Sequence, residues 1–137
     1  MMISSRGRYA LRIMIDLGQH YEEENLISLK EISVRQNVSM KYLELIASAL
    51  HKGGLVKSAR GKNGGYRLAK GPDQITIGSI LKLVENNIAP VNCIEAGTVN
   101  CERAAGCITI PMWQKLDQVI NDYLDSITLK NLLDGEV

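Results

Sequence analysis

The chain has 137 residues, a hydrophobic content of 45% and a formal net charge of +1. That length allows one compact domain with an additional element, and the apolar fraction is sufficient for a core. No apolar run approaches the roughly 18 residues of a membrane span, and the start of the chain lacks the charged-then-apolar layout of a signal peptide. We therefore expect a cytoplasmic protein that does not bind a membrane.

The two halves of the chain carry opposite charges. Residues 1–71 contain 12 lysines and arginines against 6 acidic residues, whereas the remainder contains 4 against 9. A basic first half suits a face that meets phosphates, and an acidic second half suits a separate module. An uneven solvated surface is the alternative explanation.

Apolar spacing predicts two helices near the start of the chain. The first has apolar residues at i, i+3, i+4 and i+7, and it should begin after the capping region Ser4-Ser5 and end near His20. The second should begin at Ser28 and Glu31, whose side chains can form a capping box by accepting each other's free backbone amides. It should stop at Asn37.

A third helix and a β-hairpin follow. Ser39 can cap the helix, and Gly53 with Gly54 ends it. Two short extended runs at 55–58 and 66–69 flank a glycine-rich segment that tolerates turn geometry. Two helices joined by a short turn and followed by a hairpin have the order of a winged helix-turn-helix.

The second half is predicted to contain two further helices. Residues 75–84 indicate a fourth helix capped near Thr76 or Ser79, whereas Ala89 to Ile110 show no periodicity. The last segment carries an apolar stripe over more than four turns. The stripe consists of Met112, Leu116, Val119, Ile120, Tyr123, Leu124 and Ile127.

The predicted fold is mostly α with a small β-hairpin wing, in which a winged helix-turn-helix is joined to a long C-terminal dimerisation helix. We place the DNA-binding part at 1–72, and the fourth helix, the connector and the last helix at 73–137. The apolar stripe exceeds what one small winged domain can cover, so we expect a homodimer. Two-fold symmetry then places two recognition helices about one or two turns of double-stranded DNA apart.

The third helix offers outward-facing side chains near its N-terminus, where recognition helices meet base edges. Lys41 can donate to guanine or phosphate, and Glu44 can accept from the cytosine amino group. Ser39 and Tyr42 can donate to phosphate oxygens. An ordinary surface helix is the alternative.

The hairpin tip is basic as well as glycine-rich. Arg60 and Lys62 lie on it and Arg67 lies beside it, so it could enter a minor groove, whose negative potential attracts arginine. A solubilising loop is the alternative. The glycines have neither the spacing nor the strand-to-helix setting of a phosphate-binding P-loop.

The cysteines of the chain, Cys93, Cys101 and Cys107, all lie in the irregular segment. A long structureless stretch in a compact domain is usually functional or disordered, and an odd number of cysteines argues against a disulfide framework. Three thiolates with one further ligand suit an iron-sulfur cluster or zinc. Free thiols and a metal-free redox switch remain open.

Several segments together resemble the IscR, NsrR and CymR family of bacterial winged-helix regulators. They are residues 5–10 (SRGRYA), 42–44 (YLE), 54–58 (GLVKS), Arg60-Gly61, 64–66 (GGY) and 127–129 (ITL). The resemblance implies a homodimer that binds an imperfect palindrome in double-stranded DNA and reads it with the residues at Lys41, Glu44 and Arg60. IscR-type proteins have a serine at the position of Lys41.

The resemblance also implies that the three cysteines hold an iron-sulfur cluster, because cluster-binding members carry three cysteines in the same connector. The IscR type has a histidine ligand three residues after the last cysteine, where this chain has Ile110. A fourth ligand would come from Glu95, Glu102, another part of the dimer or a small molecule. We expect [2Fe-2S], with [4Fe-4S] as the alternative.

Other functions are weighed against this one. The sequence has no nucleophile elbow and no carboxylate pair in a catalytic motif, so we expect no enzyme activity. A winged-helix regulator without a cluster, which senses by thiol redox chemistry or by a protein partner, is the alternative function.

Overall fold

The computed structural model describes residues 3–23, 25–95 and 97–137. Among them, no helix is both long enough and apolar enough to cross a membrane. Short 3-10 turns lie at Tyr21–Glu23, Pro72–Gln74 and Ala104–Gly106. The helices and strands are α1 (Ser5–Gln19), α2 (Leu29–Gln36), α3 (Met40–Lys52), β1 (Val56–Ala59), β2 (Gly65–Leu68), α4 (Ile77–Val84), β3 (Ile94–Glu95), β4 (Thr98–Val99), α5 (Ile110–Ser126) and α6 (Leu129–Asp134).

The first three helices begin where the sequence predicts caps. The hydroxyl of Ser4 accepts from the Gly7 amide at the start of α1, and Ser39 accepts from Tyr42 at the start of α3. Ser28 and Glu31 form the predicted capping box of α2. Asn37 ends α2 in the left-handed conformation, so that α3 follows after a short turn.

A buried ion pair joins α1 to α2. Asp16 is almost fully buried, and its carboxylate accepts two hydrogen bonds from the Arg35 guanidinium, at 2.9 and 2.7 Å. The Gln36 side-chain amide donates a third, at 3.2 Å. Burial raises the pKa of Asp16, but the hydrogen bonds from Arg35 and Gln36 outweigh it and hold the pKa below its usual value.

The wing is an antiparallel hairpin in which Val56 pairs with Leu68 and Ala59 with Gly65. Its strands are shifted by one residue from the predicted runs. Ile27 extends the hairpin by exchanging backbone hydrogen bonds of 2.8 Å with Tyr66. Gly65 has a φ of 152°, and a Cβ there would overlap the backbone oxygen of Ile27, so this position requires glycine.

Helices α4 and α6 pack against α1, in the same hydrophobic core as α2 and α3. The chain returns from α5 through an isolated bridge between Thr76 and Thr128. Leu129 is fully buried, and its amide donates to the Ile75 carbonyl at 2.8 Å. Helix α6 was not predicted, because its six residues are too few to show a helical period.

The segment between α4 and α5, residues 85–109, is the cysteine connector. It contains the two-residue hairpin β3–β4 and one 3-10 turn, which the lack of periodicity did not reveal. Ile94 is fully buried and anchors the hairpin. The side-chain amide of Asn87 donates to the Ile94 carbonyl at 3.2 Å, and its oxygen accepts from the Ala89 amide at 2.9 Å.

Helix α5 lies against α4, and Lys82 forms an ion pair of 2.9 Å with Asp125. Part of its apolar stripe is exposed on this chain: Met112 is 54%, Leu116 39%, Val119 50% and Tyr123 56% accessible. Ile127, which we predicted on the stripe, lies just beyond the helix in an extended conformation. Its carbonyl accepts a hydrogen bond from the Ile77 amide at 2.8 Å, and this strand-like pairing ends the helix there.

Candidate functional site

The first turns of α3 present polar side chains to solvent. Lys41 and Glu44 are exposed, as are the neighbouring Met40 and Leu45. Ser39 is exposed too, and its hydroxyl accepts the Tyr42 amide at 3.4 Å. The buried side of the helix consists of Leu43, Ile46, Ala47 and Leu50, as predicted.

Tyr42 differs from its neighbours because it is half-buried. Its ring meets the ring of Tyr9 edge-to-face, with the centroids 5.4 Å apart. The guanidinium of Arg12 lies 5.3 Å from the centre of the Tyr9 ring. These contacts connect α1 to α3 through packed aromatic side chains.

The tip of the wing is fully accessible. Arg60 and Lys62 are exposed, and Gly61 between them has a φ of 109°, a conformation that favours glycine. Arg67 on β2 is opposite Lys57 on β1, and both are exposed. The hairpin therefore presents cations at its tip and along one face.

The three cysteines lie at different points of the connector. Cys93 directly precedes β3, and its carbonyl accepts from the Asn100 amide at 2.6 Å. Cys101 follows β4 and is exposed, whereas Cys93 and Cys107 are half-buried. Cys107 shares a hydrogen bond of 3.2 Å with the hydroxyl of Thr109, close to the start of α5.

The surroundings of the thiols shift two of their pKa values in opposite directions. Partial burial, together with the neighbouring thiols of Cys101 and Cys107, raises the pKa of Cys93. The hydrogen bond with Thr109 lowers the pKa of Cys107.

The connector has the donor atoms of a metal site but not its finished geometry. Within residues 3–23, 25–95 and 97–137, no three His, Cys, Asp or Glu side chains are grouped closely enough to hold a metal ion. Thiolates are nevertheless the usual ligands of iron-sulfur clusters, and Glu95 and Glu102 are exposed nearby in the sequence. The donor set fits a cluster, provided that the connector tightens around it.

The end of α4 contacts the start of α1. The carboxylate oxygen Oε1 of Glu85 accepts from the Ser4 backbone amide at 2.8 Å and from the Ser4 hydroxyl at 2.7 Å. A Cβ on Gly7 would overlap the same oxygen. Helix α1 continues from there with the exposed residues Arg6 and Arg8.

Comparison with known proteins identifies the family. The model of a family described as "Rrf2: Iron-dependent Transcriptional regulator" matches residues 3–135. The chain belongs to the Rrf2 family. The HTH-type transcriptional regulator IscR of Aliivibrio salmonicida is 39% identical over 138 residues, which cover 100% of this chain and 80% of that protein. IscR of Vibrio cholerae is also 39% identical and is covered to 78%.

Solved Rrf2 structures share the fold. CymR, the global cysteine regulator of B. subtilis, superposes with a TM-score of 0.80 at 39% identity, with 98% of each chain covered. T. potens IscR superposes with a TM-score of 0.77 at 36% identity, covering 100% of this chain and 89% of that one. These findings confirm the resemblance and the predicted fold. This Rrf2 protein is a DNA-binding transcription regulator of the IscR and CymR type and not an enzyme.

Sequence reasoning missed two features of this Rrf2 chain. Arg12 and its stacking on Tyr9 could have been noticed, because residues three apart on a helix are neighbours. The Glu85–Ser4 contact joins residues 81 positions apart, and nothing in the local sequence signals it.

Proposed function

We propose that this protein acts as a homodimer that binds an imperfect palindrome in double-stranded DNA, and that an iron-sulfur cluster on Cys93, Cys101 and Cys107 controls its affinity. Different parts of the chain have different functions: residues 1–72 contact DNA, and residues 73–137 hold the cluster and join the subunits. The observation that carries the proposal is the short turn before α3, which leaves Lys41 and Glu44 exposed on the recognition helix.

DNA reading is assigned to six side chains on two elements. Lys41 and Glu44 reach base edges from α3, whereas Ser39 and Tyr42 position the helix on phosphates. Arg60 and Lys62 at the wing tip contact the adjacent groove and backbone. The exposure of Arg60 and Lys62 and the net positive charge of residues 1–71 support this assignment.

Dimerisation is assigned to the exposed stripe on α5. Met112, Leu116, Val119 and Tyr123 are spaced by four, three and four residues, which is the period of a coiled-coil seam. Apolar side chains that are half exposed along one helix favour a partner surface. A second copy of α5 presents the same stripe and would bury it around a two-fold axis.

Cluster binding is supported by the three thiols and by the iron dependence in the family description. The cluster, when bound, supplies a centre whose presence or oxidation state depends on iron and redox conditions. Glu95, Glu102, the other subunit or a small molecule completes the ligand set, since Ile110 cannot bind iron. We favour [2Fe-2S], with [4Fe-4S] as the alternative.

Residues of the connector would couple cluster binding to DNA binding. Cys107 lies three residues before α5, and Cys93 adjoins the buried Ile94, so drawing the thiols together moves segments attached to both α4 and α5. Helix α5 sets the spacing of the two subunits, and α4 belongs to the core of the DNA-binding part. Such a change would alter the separation of the two recognition helices.

The experiment is operator binding by protein purified without oxygen, compared with the Cys93→Ser, Cys101→Ser and Cys107→Ser variants. The operator is first selected from random duplexes. We expect the wild type to change its affinity when the cluster is removed and each variant to bind at one fixed affinity. Wild-type binding that does not respond to cluster removal would contradict cluster control but not DNA binding.

The base contacts are tested separately with Lys41→Ser, which introduces the residue of IscR-type proteins. We expect a changed base preference at one position in each half-site, with a cost of about 1–3 kcal/mol on the original operator. Lys52→Ser is the control, because Lys52 is an exposed lysine at the other end of the same helix. An unchanged preference with Lys41→Ser would remove Lys41 from the base-reading set.

A regulator that senses by thiol chemistry without a cluster is the second candidate. The influence of Cys101 on Cys93 favours it, since neighbouring thiols can be oxidised to a disulfide. A solved CymR from Staphylococcus aureus in an oxidised form is 34% identical, with a TM-score of 0.74. Iron-free protein whose DNA affinity changes with oxidant would favour this function.

A further inference from the structure

We propose that Glu85 is a positioning residue that ties the cysteine connector to the recognition helix, by holding the start of α1. The inference rests on the proposed function, because it names the route by which the connector acts on DNA binding. Three contacts in series carry it: connector to Asn87, Glu85 to Ser4, and α1 to α3.

The first contact lies between the connector and the residues that follow α4. Asn87 bonds to the Ile94 carbonyl and to the Ala89 amide, so it fixes the loop that leads into β3. Ile94 is fully buried and is the neighbour of Cys93 in the chain. A movement of Cys93 therefore reaches Asn87 through the Ile94 carbonyl, and Asn87 is two residues from Glu85.

The second contact is the carboxylate of Glu85 on Ser4. Ser4 is the N-cap of α1, and its hydroxyl accepts the Gly7 amide at 3.2 Å while donating to Glu85. The cap is thus held from outside the helix by a charged acceptor, which is stronger than a neutral one. Gly7 lets the carboxylate approach α1 closely, because a side chain there would overlap it.

The third contact joins α1 to the recognition helix. Tyr9 follows Gly7 by two residues, and its ring packs edge-to-face on Tyr42 in α3. Arg6 lines a surface groove together with Tyr42 and Leu45. A shift at the start of α1 therefore changes both the packing of Tyr42 and the position of an exposed arginine beside α3.

These contacts, joined by the short backbone segments 93–94, 85–87 and 7–9, connect Cys93 to Tyr42. Energetic coupling between two sites requires an element whose position both sites bias, and the start of α1 meets that requirement. Without Glu85, α1 and α4 would still pack through their buried side chains, but the N-cap of α1 would lose both hydrogen bonds that tie it to the end of α4. Glu85 therefore affects the coupling between the sites more than the binding at either site.

The first test uses cluster-free protein and needs no operator. Hydrogen exchange is measured for the amides of residues 4–8 in the wild type and in Asn87→Ala and Glu85→Ala. We expect exchange at these amides to rise by roughly 2- to 12-fold in both variants, the factor equivalent to one net hydrogen bond. Gln114→Ala and Asp122→Ala are the controls, since both residues are exposed and line the same cavity beside α4.

The response to Asn87→Ala shows whether the connector acts on α1, because the described hydrogen bonds of Asn87 reach only Ile94 and Ala89 and not α1. Faster exchange at residues 4–8 in Glu85→Ala alone would show a simple helix cap and overturn the inference. Glu85→Gln is the second variant, which keeps an acceptor oxygen and should restore part of the protection. It also serves where Glu85→Ala unfolds.

The second test measures operator affinity with and without the cluster. In the wild type and both controls we expect the two affinities to differ by roughly 5- to 150-fold. In Glu85→Ala that ratio should fall to about one, with iron content unchanged. If the affinity ratio of Glu85→Ala equals that of the wild type, the inference is overturned. If the ratio is one in the wild type itself, the proposed cluster control is contradicted, and the exchange test alone decides whether the path exists.

Discussion

Replacing Leu116 and Val119 by glutamate tests the seam on which the dimer depends. These side chains are 39% and 50% accessible on the single chain. Burying the exposed half of such a side chain contributes about 1 kcal/mol. A dimer holds four of them, so their loss removes about 4 kcal/mol, which weakens association at least about 1000-fold. Repulsion between the new carboxylates adds to that figure.

The assay is sedimentation velocity over a concentration series, with circular dichroism to verify folding. We expect the wild type to sediment as a dimer and Leu116→Glu/Val119→Glu as a folded monomer with weak operator binding. Gln114→Glu/Gln118→Glu is the matched control, because it adds the same two charges to α5 on the side that lines the cavity next to α4. A double variant that remains dimeric would refute the assignment of the seam.

Three further predictions concern the winged part. Arg60→Ala and Lys62→Ala should each weaken DNA binding and reduce the slope of log affinity against log salt by about 1.8, since a dimer loses two phosphate contacts worth about 0.9 each. Fluorescence titration at several salt concentrations will measure this slope, and an unchanged slope would exclude a phosphate contact. Gly65→Ala should cost about 1–3 kcal/mol in thermal unfolding because of its φ and the overlap with Ile27, whereas Gly106→Ala, with open space around it, should cost far less. Folding lowers the pKa of Asp16. The ionised side chain therefore stabilises the fold fully above its pKa in the unfolded chain, about 4, and this stabilisation is lost as the pH falls through its pKa in the folded protein. Asp16→Asn should therefore cost about 1–2 kcal/mol at neutral pH, and denaturant unfolding should show this difference shrinking below about pH 4; a constant difference would contradict the ion pair.

Local signals predicted the helices of the winged part with good accuracy. Ser4, Ser28 and Ser39 cap the helices that they were expected to cap, because N-capping depends on residues within one turn. The hairpin was found for the same reason, since its glycines and basic tip are contiguous. The bridge from the hairpin to Ile27 was not predicted, because Ile27 is distant in sequence.

Long-range pairing explains what the sequence did not reveal. Ile127 fits the apolar period of α5, but its carbonyl pairs with Ile77 and the helix stops before it. Helix α6 is short, and it is stabilised by burying Leu129 in a core built mostly from the first half.

In the candidate site too, features set by local sequence were predicted and features set by distant residues were not. The exposure of Lys41, Glu44, Arg60 and Lys62 followed from helical and hairpin patterns. The partial burial of Tyr42 did not follow from these patterns, since it depends on packing against Tyr9 in another helix. The grouping of the three cysteines in one segment was visible in the sequence, but their ligand geometry depends on how the connector folds.

The most direct test of cluster control is iron and acid-labile sulfide per chain in protein purified without oxygen, with operator affinity measured on the same sample before and after removal of the iron. The account predicts iron and sulfide in equal amounts, visible absorbance of an iron-sulfur centre, and an affinity that changes when both are lost. Protein that takes up neither iron nor sulfide after attempted reconstitution, yet binds its operator unchanged, would contradict it.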